Sequence, residues 1–186
     1  MFSEKIAVIF PGMGYNADKP LLYYTKKLAK AADYDVIDVT YELPVKSKDI
    51  LNDKEGMKAT FEIAAKQVEK QLDEVKFGKC EKILFVGKSI GTALAAYYDK
   101  TYNIGAKQLV FTPVPQTFDF LRAESGIVFH GNADPWCRTD IVKTRCEELG
   151  LEMVIVEKGN HSLETGEVIR DVQELRNIMK IVEMRI

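Results

Sequence analysis

Two glycines flank a serine at the junction of an apolar run and a helix-like run, in the pattern Gly87-x-Ser89-x-Gly91. This spacing is typical of a tight turn that connects a buried strand to a helix. Glycines two residues before and two residues after the serine leave out the β-carbons that would collide in such a turn. The chain is therefore predicted to hold Ser89 at a strained position between a strand and a helix.

A chance match to this pattern is rare in a chain with 12 glycines among 186 residues, at roughly 0.02 expected occurrences. A serine in this turn can act as a nucleophile if a base lies beside it and amide groups face the developing oxyanion. The backbone N–H of Ile90, at the start of the helix, is predicted to be one of these donors. The alternative is a glycine-rich turn in which Ser89 is only a helix N-cap.

An acid and a histidine follow Ser89, in the chain order nucleophile, acid, histidine. Asp134 comes after the strand-like run 126–130, and His161 comes after the strand-like run 153–156. Because the carboxyl ends of parallel strands share one edge of a sheet, where sites form, the three side chains are predicted to meet there. Ser89, Asp134 and His161 are the predicted catalytic residues.

Each of these assignments has a simpler alternative. Asp134 could form only an Asx-turn, and Asp140 could be the acid, although an aspartate before an apolar-periodic run more often caps a helix. His161 could be an ordinary loop histidine, but the chain has only two histidines. The other, His130, is predicted to structure the turn of the acid at the end of a strand. Cys137 could line a pocket, but a buried apolar role is favoured.

Short β-rich runs alternate with amphipathic helical stretches along the chain. Such alternation implies crossover connections, so the predicted fold class is α/β, with a doubly wound, mainly parallel six-stranded sheet and helices on both faces. Right-handed crossovers predict the strand order 2-1-3-4-5-6, and the length predicts one domain over residues 1–186. The predicted strands span residues 5–10, 35–40, 82–87, 107–112, 126–130 and 151–156.

Two helical stretches carry apolar stripes at three- and four-residue steps. The first spans residues 54–76 behind an Asn52-Asp53 start, and the second lies at the C-terminal end. Both stripes are predicted to pack in the core. Their members are Met57, Phe61, Ala64, Val68, Leu72 and Val75 in the first helix, and Val168, Val172, Leu175, Met179 and Val182 in the second.

A glycine-containing loop, residues 11–15, follows the first predicted strand. The strand order puts the first and third strands side by side, so this loop should lie beside Ser89. A nucleotide-binding turn is the alternative, but its G-x-G lacks the third glycine, and a polar segment delays the next helix. The sequence therefore predicts no bound cofactor.

Four motifs together resemble the α/β-hydrolase superfamily over nearly the whole chain: the 87–91 turn, the 130–134 and 159–163 phrases, and the 11–15 loop. The small size resembles compact, lidless serine hydrolases akin to dienelactone-hydrolase-like proteins. By this resemblance, the backbone N–H of Met13 is the second oxyanion donor, beside that of Ile90. Three features depart from the pattern: Pro11 stands where many relatives have histidine, Lys88 precedes the serine, and the usual leading antiparallel strands are missing.

The resemblance implies a serine hydrolase that cleaves small or short-acyl carboxylic esters or thioesters. His161 would take the Ser89 proton, Ser89 would attack the carbonyl to form an acyl-enzyme, and Asp134 would orient the imidazole. An acyltransferase or perhydrolase would intercept the same acyl-enzyme with another acceptor. A noncatalytic binding protein of the same fold is the further alternative.

The segment between the fourth and fifth predicted strands, residues 112–122, is too short to fold as an independent helical cap. The site is therefore predicted to be open to water. Phe118 and Phe120 are predicted to form a small apolar wall near Ser89, with ordinary packing under the loop as the alternative. A shallow wall holds few methylene groups, which favours short acyl groups.

Charge and cysteine usage favour a small, uncharged substrate in a reducing compartment. The net charge of −2 and the pI near 5.8 give no electrostatic reason to expect nucleic acid or an anionic membrane as a partner. Cys80, Cys137 and Cys146 lack metal-ligand spacing, and residues 1–5 lack a secretory pattern. No apolar run has the length needed to cross a bilayer. The sequence predicts a cytoplasmic protein without a bound metal.

Overall fold

The computed structural model describes residues 4–50 and 53–186, in which six strands form one sheet in the order β2-β1-β3-β4-β5-β6. All neighbouring strands pair in parallel, which confirms the predicted α/β fold class and strand order. The strands are β1 (Lys5–Phe10), β2 (Asp35–Asp38), β3 (Lys82–Lys88), β4 (Lys107–Phe111), β5 (Gly126–Gly131) and β6 (Glu152–Val156). The helices are α1 (Pro20–Ala31), α2 (Ser47–Ile50), α3 (Lys54–Leu72), α4 (Ile90–Tyr102), α5 (Thr117–Phe120), α6 (Thr139–Leu149) and α7 (Val168–Glu183).

Alternate residues of the central strands point to opposite faces of the sheet, as the two-residue period of a strand requires. Ala7 and Ile9 of β1 pack with α1 and α7 on one face. Ile6, Val8 and Phe10 pack with α3 and α4 on the other. Because α1 follows β1 and α4 follows β3, the helices after these neighbouring strands lie on opposite faces. A crevice therefore opens at the carboxyl ends of β1 and β3.

The strand predicted over residues 35–40 ends at Asp38. The N–H of Val39 still donates to the carbonyl of Ile9 in β1, but from Thr40 onward side chains of α3 supply hydrogen bonds to the segment. The N–H of Thr40 donates to Gln71 Oε1 over 2.9 Å. The N–H of Glu42 donates to Gln67 Oε1 over 3.0 Å. These contacts hold the segment after β2 against α3 instead of in the sheet.

The start of α3 follows the prediction at Asp53, whose carboxylate accepts a hydrogen bond of 3.0 Å from the N–H of Gly56. Asn52, the other half of the predicted start, lies outside the described residues. So do residues 1–3, on which the prediction about the N-terminal segment partly rests. The helix ends at Leu72 rather than residue 76, because the chain turns there and the N–H of Val75 bonds to the Leu72 carbonyl.

The predicted core stripe of α7 is buried only toward the C-terminal end of the helix. Val182 is fully buried, whereas Val168 and Val172 are 74% and 60% exposed. The prediction that these two valines pack in the core is therefore wrong, because the first turns of α7 do not reach the sheet. None of the described helices combines the length and apolarity needed to cross a membrane.

Candidate active site

Ser89 occupies the turn between β3 and α4 with φ 56° and ψ −126°, a backbone conformation that is strained for any residue with a side chain. Its N–H donates to the carbonyl of Phe111 over 3.1 Å. Its carbonyl accepts hydrogen bonds from the N–H of Thr92 at 2.9 Å and from the Thr92 hydroxyl at 2.6 Å. The Thr117 hydroxyl in turn lies 2.6 Å from that of Thr92, which ties α5 to the turn. Sequence analysis did not identify this support for the strained serine.

The glycines of the turn are required by close backbone contacts. A β-carbon at Gly91 would lie 2.0 Å from the carbonyl oxygen of Phe10, and one at Gly87 would lie 2.6 Å from the α-carbon of Thr92. Neither neighbour is the end of a flexible side chain that could move aside. Gly91 lets α4 pack directly on β1, and Gly87 lets β3 approach the start of α4.

Gly91→Ala is therefore expected to lower the free energy of unfolding by about 1–3 kcal/mol or more, because the added methyl group must displace strand backbone. Thermal unfolding followed by circular dichroism measures the loss. Gly78→Ala is the matched control, since a β-carbon at Gly78 meets nothing within 4 Å. Equal melting temperatures for the two variants would contradict this packing.

His161 lies between Ser89 and Asp134. Its Nε2 is 2.8 Å from Ser89 Oγ, and its Nδ1 is 2.7 Å from Asp134 Oδ2. The side chain of Asp134 is fully buried, while that of His161 is 20% exposed. The other carboxylate oxygen of Asp134 accepts a hydrogen bond of 2.8 Å from the N–H of Trp136. The structure thus brings the three predicted residues together in one hydrogen-bonded chain.

The loops that carry Asp134 and His161 pack on each other. The N–H of Ala133 donates to the carbonyl of Gly159 over 2.9 Å. A β-carbon at Gly131 would lie 2.2 Å from the same carbonyl oxygen. The glycines of these two loops therefore let Asp134 and His161 approach each other from the ends of separate strands.

The alternative residues lie apart from this chain of hydrogen bonds. Asp140 is in the first turn of α6 with its side chain 62% exposed, where it pairs with Arg138. His130 is buried, with its Nε2 3.0 Å from Thr139 Oγ1, so it joins the end of β5 to the start of α6. Cys137 is buried in an apolar cluster. Within the described residues, no three His, Cys, Asp or Glu side chains converge to hold a metal ion.

Burial and a nearby lysine set the electrostatics of the site. Burial lowers the pKa of His161 below its ordinary value of 6.5; the hydrogen bond to Asp134 opposes the shift, and the charge of Lys88 adds to it. Lys88 is 1% exposed, and its Nζ lies 4.9 Å from the ring centroid of Tyr15. Burial lowers the pKa of Lys88 to about 7, against the attraction of Asp134 and Glu164. The imidazole of His161 is therefore neutral at neutral pH.

The loop after β1 packs directly on the serine turn. Gly12 and Tyr15 exchange backbone hydrogen bonds of 2.9 and 3.2 Å, which puts Met13 at the tip of a tight turn. A β-carbon at Gly12 would lie 3.1 Å from the β-carbon of Ser89. Met13 and Ile90, the predicted oxyanion donors, line the same cavity as Ser89.

This cavity has a volume of about 520 Å³, with a floor and two walls. Its floor is the face of α4 that leads away from Ser89, and α3 and the 112–122 segment stand on either side. Phe120 lines it, but Phe118 is 2% exposed and packs below in an apolar cluster with Val110 and Val128. Phe118 is thus a core residue and not a wall of the pocket, because α5 turns its ring toward the sheet.

The wall formed by α3 was missed by sequence analysis. Met57 and Phe61 line the cavity, although their place in the apolar stripe predicted a core position. Phe61 also packs against the core cluster between α3 and the sheet. Trp136 also lines it, with its ring centroid 5.5 Å from that of His161. The predicted shallow wall is therefore corrected to a cavity that extends along most of α3. The position of Trp136 directly after the acid phrase was the one signal available in the sequence.

Solved structures of α/β hydrolases resemble this chain over nearly its full length. A serine hydrolase homologue from Coxiella burnetii matches with a TM-score of 0.66 at 14% identity, covering 100% of this chain and 86% of that one. A serine hydrolase without a lid from Xanthomonas campestris matches with a TM-score of 0.57 at 14% identity, covering 100% and 83%. An esterase from Pyrococcus furiosus matches with a TM-score of 0.62 at 10% identity, covering 98% and 83%.

No protein-family model and no curated protein sequence matches the chain. The structural likeness nevertheless covers the complete sheet and its helices. The chain has the α/β-hydrolase fold, as the resemblance of its motifs implied.

Proposed function

We propose that the protein is a serine hydrolase that cleaves carboxylic esters or thioesters through an acyl-enzyme on Ser89. The observation that carries the proposal is the hydrogen-bonded chain from Ser89 Oγ through His161 to Asp134, at 2.8 and 2.7 Å. The strained backbone of Ser89 supports it, because such strain is concentrated at functional sites. The likeness to an esterase from Pyrococcus furiosus is consistent with an ester as substrate.

The first half of the reaction forms the acyl-enzyme. Ser89 Oγ–H donates to His161 Nε2, which accepts the proton as Oγ attacks the carbonyl carbon. The developing oxyanion receives hydrogen bonds from the backbone N–H groups of Met13 and Ile90. The imidazolium then gives its proton to the leaving alcohol or thiol. Asp134 accepts a hydrogen bond from Nδ1–H, which keeps Nε2 free to act as base.

The second half releases the acid. A water molecule gives a proton to His161 Nε2 and attacks the acyl carbon, and the same proton then returns to Ser89 Oγ. The imidazole side chain is 20% exposed, so water reaches it without a further opening of the site. Ser89 and His161 return to their starting protonation states.

A fluorophosphonate probe tests the proposal, because it reacts only with an activated serine. We expect one adduct per molecule by intact mass, located at Ser89 by peptide mapping, and none in Ser89→Ala. Ser162→Ala is the matched control, since it removes a serine hydroxyl next to His161 without touching the triad, and it should be labelled like the wild type. Absence of labelling would favour the noncatalytic binding protein.

The rate of ester hydrolysis should rise with pH through a midpoint below 6.5. Only the neutral imidazole can accept the Ser89 proton, and burial lowers the pKa of His161 from that value. Measuring kcat/KM between about pH 4.5 and 8 gives the midpoint. A flat profile over this range would contradict His161 as the base.

Lys88→Met provides a second test of the same electrostatics. The substitution removes a buried positive charge that lowers the pKa of His161, so the midpoint should move to higher pH. An unchanged midpoint would show that Lys88 does not act on the imidazole.

Acyl transfer is a second candidate, favoured by a second cavity of about 500 Å³ that shares Met13 with the first. Tyr41, Leu43 and Lys46 also line it, and an acceptor bound there would approach the acyl-enzyme from the side of the 11–15 loop. Acyl transfer predicts that the ratio of transfer product to hydrolysis product saturates as the concentration of the acceptor alcohol increases. A ratio that grows linearly with the alcohol concentration would indicate simple competition with water.

A further inference from the structure

The cavity beside Ser89 is long, because it follows one side of α3 for most of that helix. Its lining begins at Lys54 and continues to Glu69, a stretch of about 22 Å at 1.5 Å per residue. On α4 the lining runs from Ile90, next to the serine, to Tyr97. The lining of the cavity therefore leads from Ser89 into the space between the two helices.

Three aromatic rings meet partway along this path, one from each wall and one from the floor. Phe61 of α3 and Phe120 of α5 are stacked, with 3° between their planes and 5.7 Å between their centroids. Tyr97 of α4 lies edge-on to both rings, at 5.5 Å from each. The Tyr97 hydroxyl donates to Glu69 Oε1 over 3.0 Å, which fixes its ring against α3.

The ring cluster lies partway along the lining of the cavity. Met13, Ile90 and Trp136 line the cavity near Ser89 and His161, whereas Ala65 and Glu69 follow Phe61 on α3. Two stacked rings that join opposite walls are a barrier to a chain growing from the serine.

The charges around the cavity do not select an ionic ligand. Its lining has as many lysines as carboxylates, so the formal charges cancel, while the floor at Ile90 and Ala93 is apolar. An uncharged hydrocarbon chain is the group that gains most from such a floor. The charged side chains are Lys54, Lys58, Lys66, Glu62, Glu69 and Asp119.

We propose that the cavity binds the alkyl chain of a medium-chain acyl group, and that the Phe61–Phe120 ring pair on Tyr97 sets the upper limit of its length. The inference rests on the proposed function, because it takes Ser89 Oγ as the atom that carries the acyl group. It also revises the short-acyl expectation, since the chain is limited by aromatic rings inside a cavity and not by exposure to solvent.

The position of the rings predicts the limiting length. Tyr97 lies about 10 Å from Ile90 along α4, and an extended chain advances about 1.2 Å per covalent bond. A chain of about eight carbons therefore reaches from Ser89 to the rings. Each methylene group up to that length should raise kcat/KM about fourfold, and further ones should add nothing.

The test is a series of p-nitrophenyl esters from acetyl to tetradecanoyl, measured as kcat/KM on the full chain. In the double variant Phe61→Ala, Phe120→Ala, the ratio of dodecanoyl to hexanoyl activity should rise at least about tenfold, because two or more further methylene groups become bound. Ile63→Ala is the matched control, since Ile63 is on α3 but 40% exposed, and its profile should equal that of the wild type.

Phe61→Leu and Phe120→Leu keep apolar bulk at these positions, so they test the barrier if the alanine variant does not fold. Each should shift the profile in the same direction by a smaller factor. A double variant that turns over esters with the wild-type profile would overturn the proposal. So would a wild-type preference for benzoyl over octanoyl esters, which would make the rings a binding site for an aromatic group.

Failure of the proposed function gives a different result. In that case no ester is turned over and the fluorophosphonate probe leaves Ser89 unlabelled. Calorimetric titration with hexanoate, octanoate and dodecanoate then tests the cavity alone. The chain-length limit would be supported if the wild type binds octanoate more tightly than hexanoate but dodecanoate no more tightly, and if the double variant binds dodecanoate most tightly. No binding would overturn it.

Discussion

Ser89→Ala is expected to lower kcat for p-nitrophenyl ester hydrolysis by about 10³–10⁶. The hydroxyl oxygen is the only atom of the site that becomes bonded to the acyl group, so nothing in the variant replaces it. His161→Ala should be nearly as damaging, because a nucleophile without its base is almost as inactive as no nucleophile. The double variant should be little worse than either single one.

The measurement is the steady-state rate of ester hydrolysis. Titration of the variant with the fluorophosphonate probe excludes a contamination by wild-type protein. Ser89→Ala should keep the wild-type melting temperature within a few degrees, since the turn is held by the Thr92 and Phe111 hydrogen bonds to the backbone of residue 89. Full activity in folded Ser89→Ala would refute the acyl-enzyme mechanism.

Asp134→Asn is expected to lower kcat by about 10³–10⁴. The carboxylate accepts the hydrogen bond from His161 Nδ1 at 2.7 Å, and an amide that presents its NH₂ group there would force the other imidazole tautomer. Nε2 would then carry a proton and could not accept the one from Ser89. The backbone hydrogen bond from Trp136 to the side chain can still form, which limits the structural change.

Asp140→Asn is the matched control for the acid. Asp140 is close to Asp134 in the chain, in the first turn of α6, but its side chain is exposed and paired with Arg138. The same substitution there should change kcat by less than about twofold. The same ester assay compares the two variants. A larger loss in Asp140→Asn than in Asp134→Asn would show that the acid has been assigned to the wrong residue.

Much of the fold could be predicted because its determinants are local in the sequence. Apolar residues that recur every two residues indicate a strand, and those that recur every 3.6 residues indicate a helix. Right-handed crossover connections then leave few possible strand orders. The confirmed order β2-β1-β3-β4-β5-β6 followed from these rules. The ends of elements were less predictable, because Gln67 and Gln71, from a distant part of the chain, supply the hydrogen bonds of Glu42 and Thr40 in place of the sheet.

The cavity could not be predicted from periodicity. An apolar stripe shows which face of a helix avoids water, but not whether a neighbouring element fills the space against it. Ala64 and Val68 of α3 are buried in the core, whereas Phe61 on the same stripe is only partly buried and also lines the cavity. In the same way, Phe118 and Phe120 are two residues apart in a four-residue helix, and the direction of that helix alone sends one ring to the core and the other to the wall.

The sequence by itself determined which residues occupy the strand-to-helix turn and the two loops at one edge of the sheet. Glycines at set spacings are the local condition for the close backbone contacts in these segments, so the sequence shows them directly. The tertiary structure alone decided what surrounds them. The charge of Lys88 depends on burial beside Tyr15 and Glu164, and the aromatic cluster in the cavity beside Ser89 consists of rings from three helices. Such contacts join residues far apart in the chain, so no local pattern encodes them.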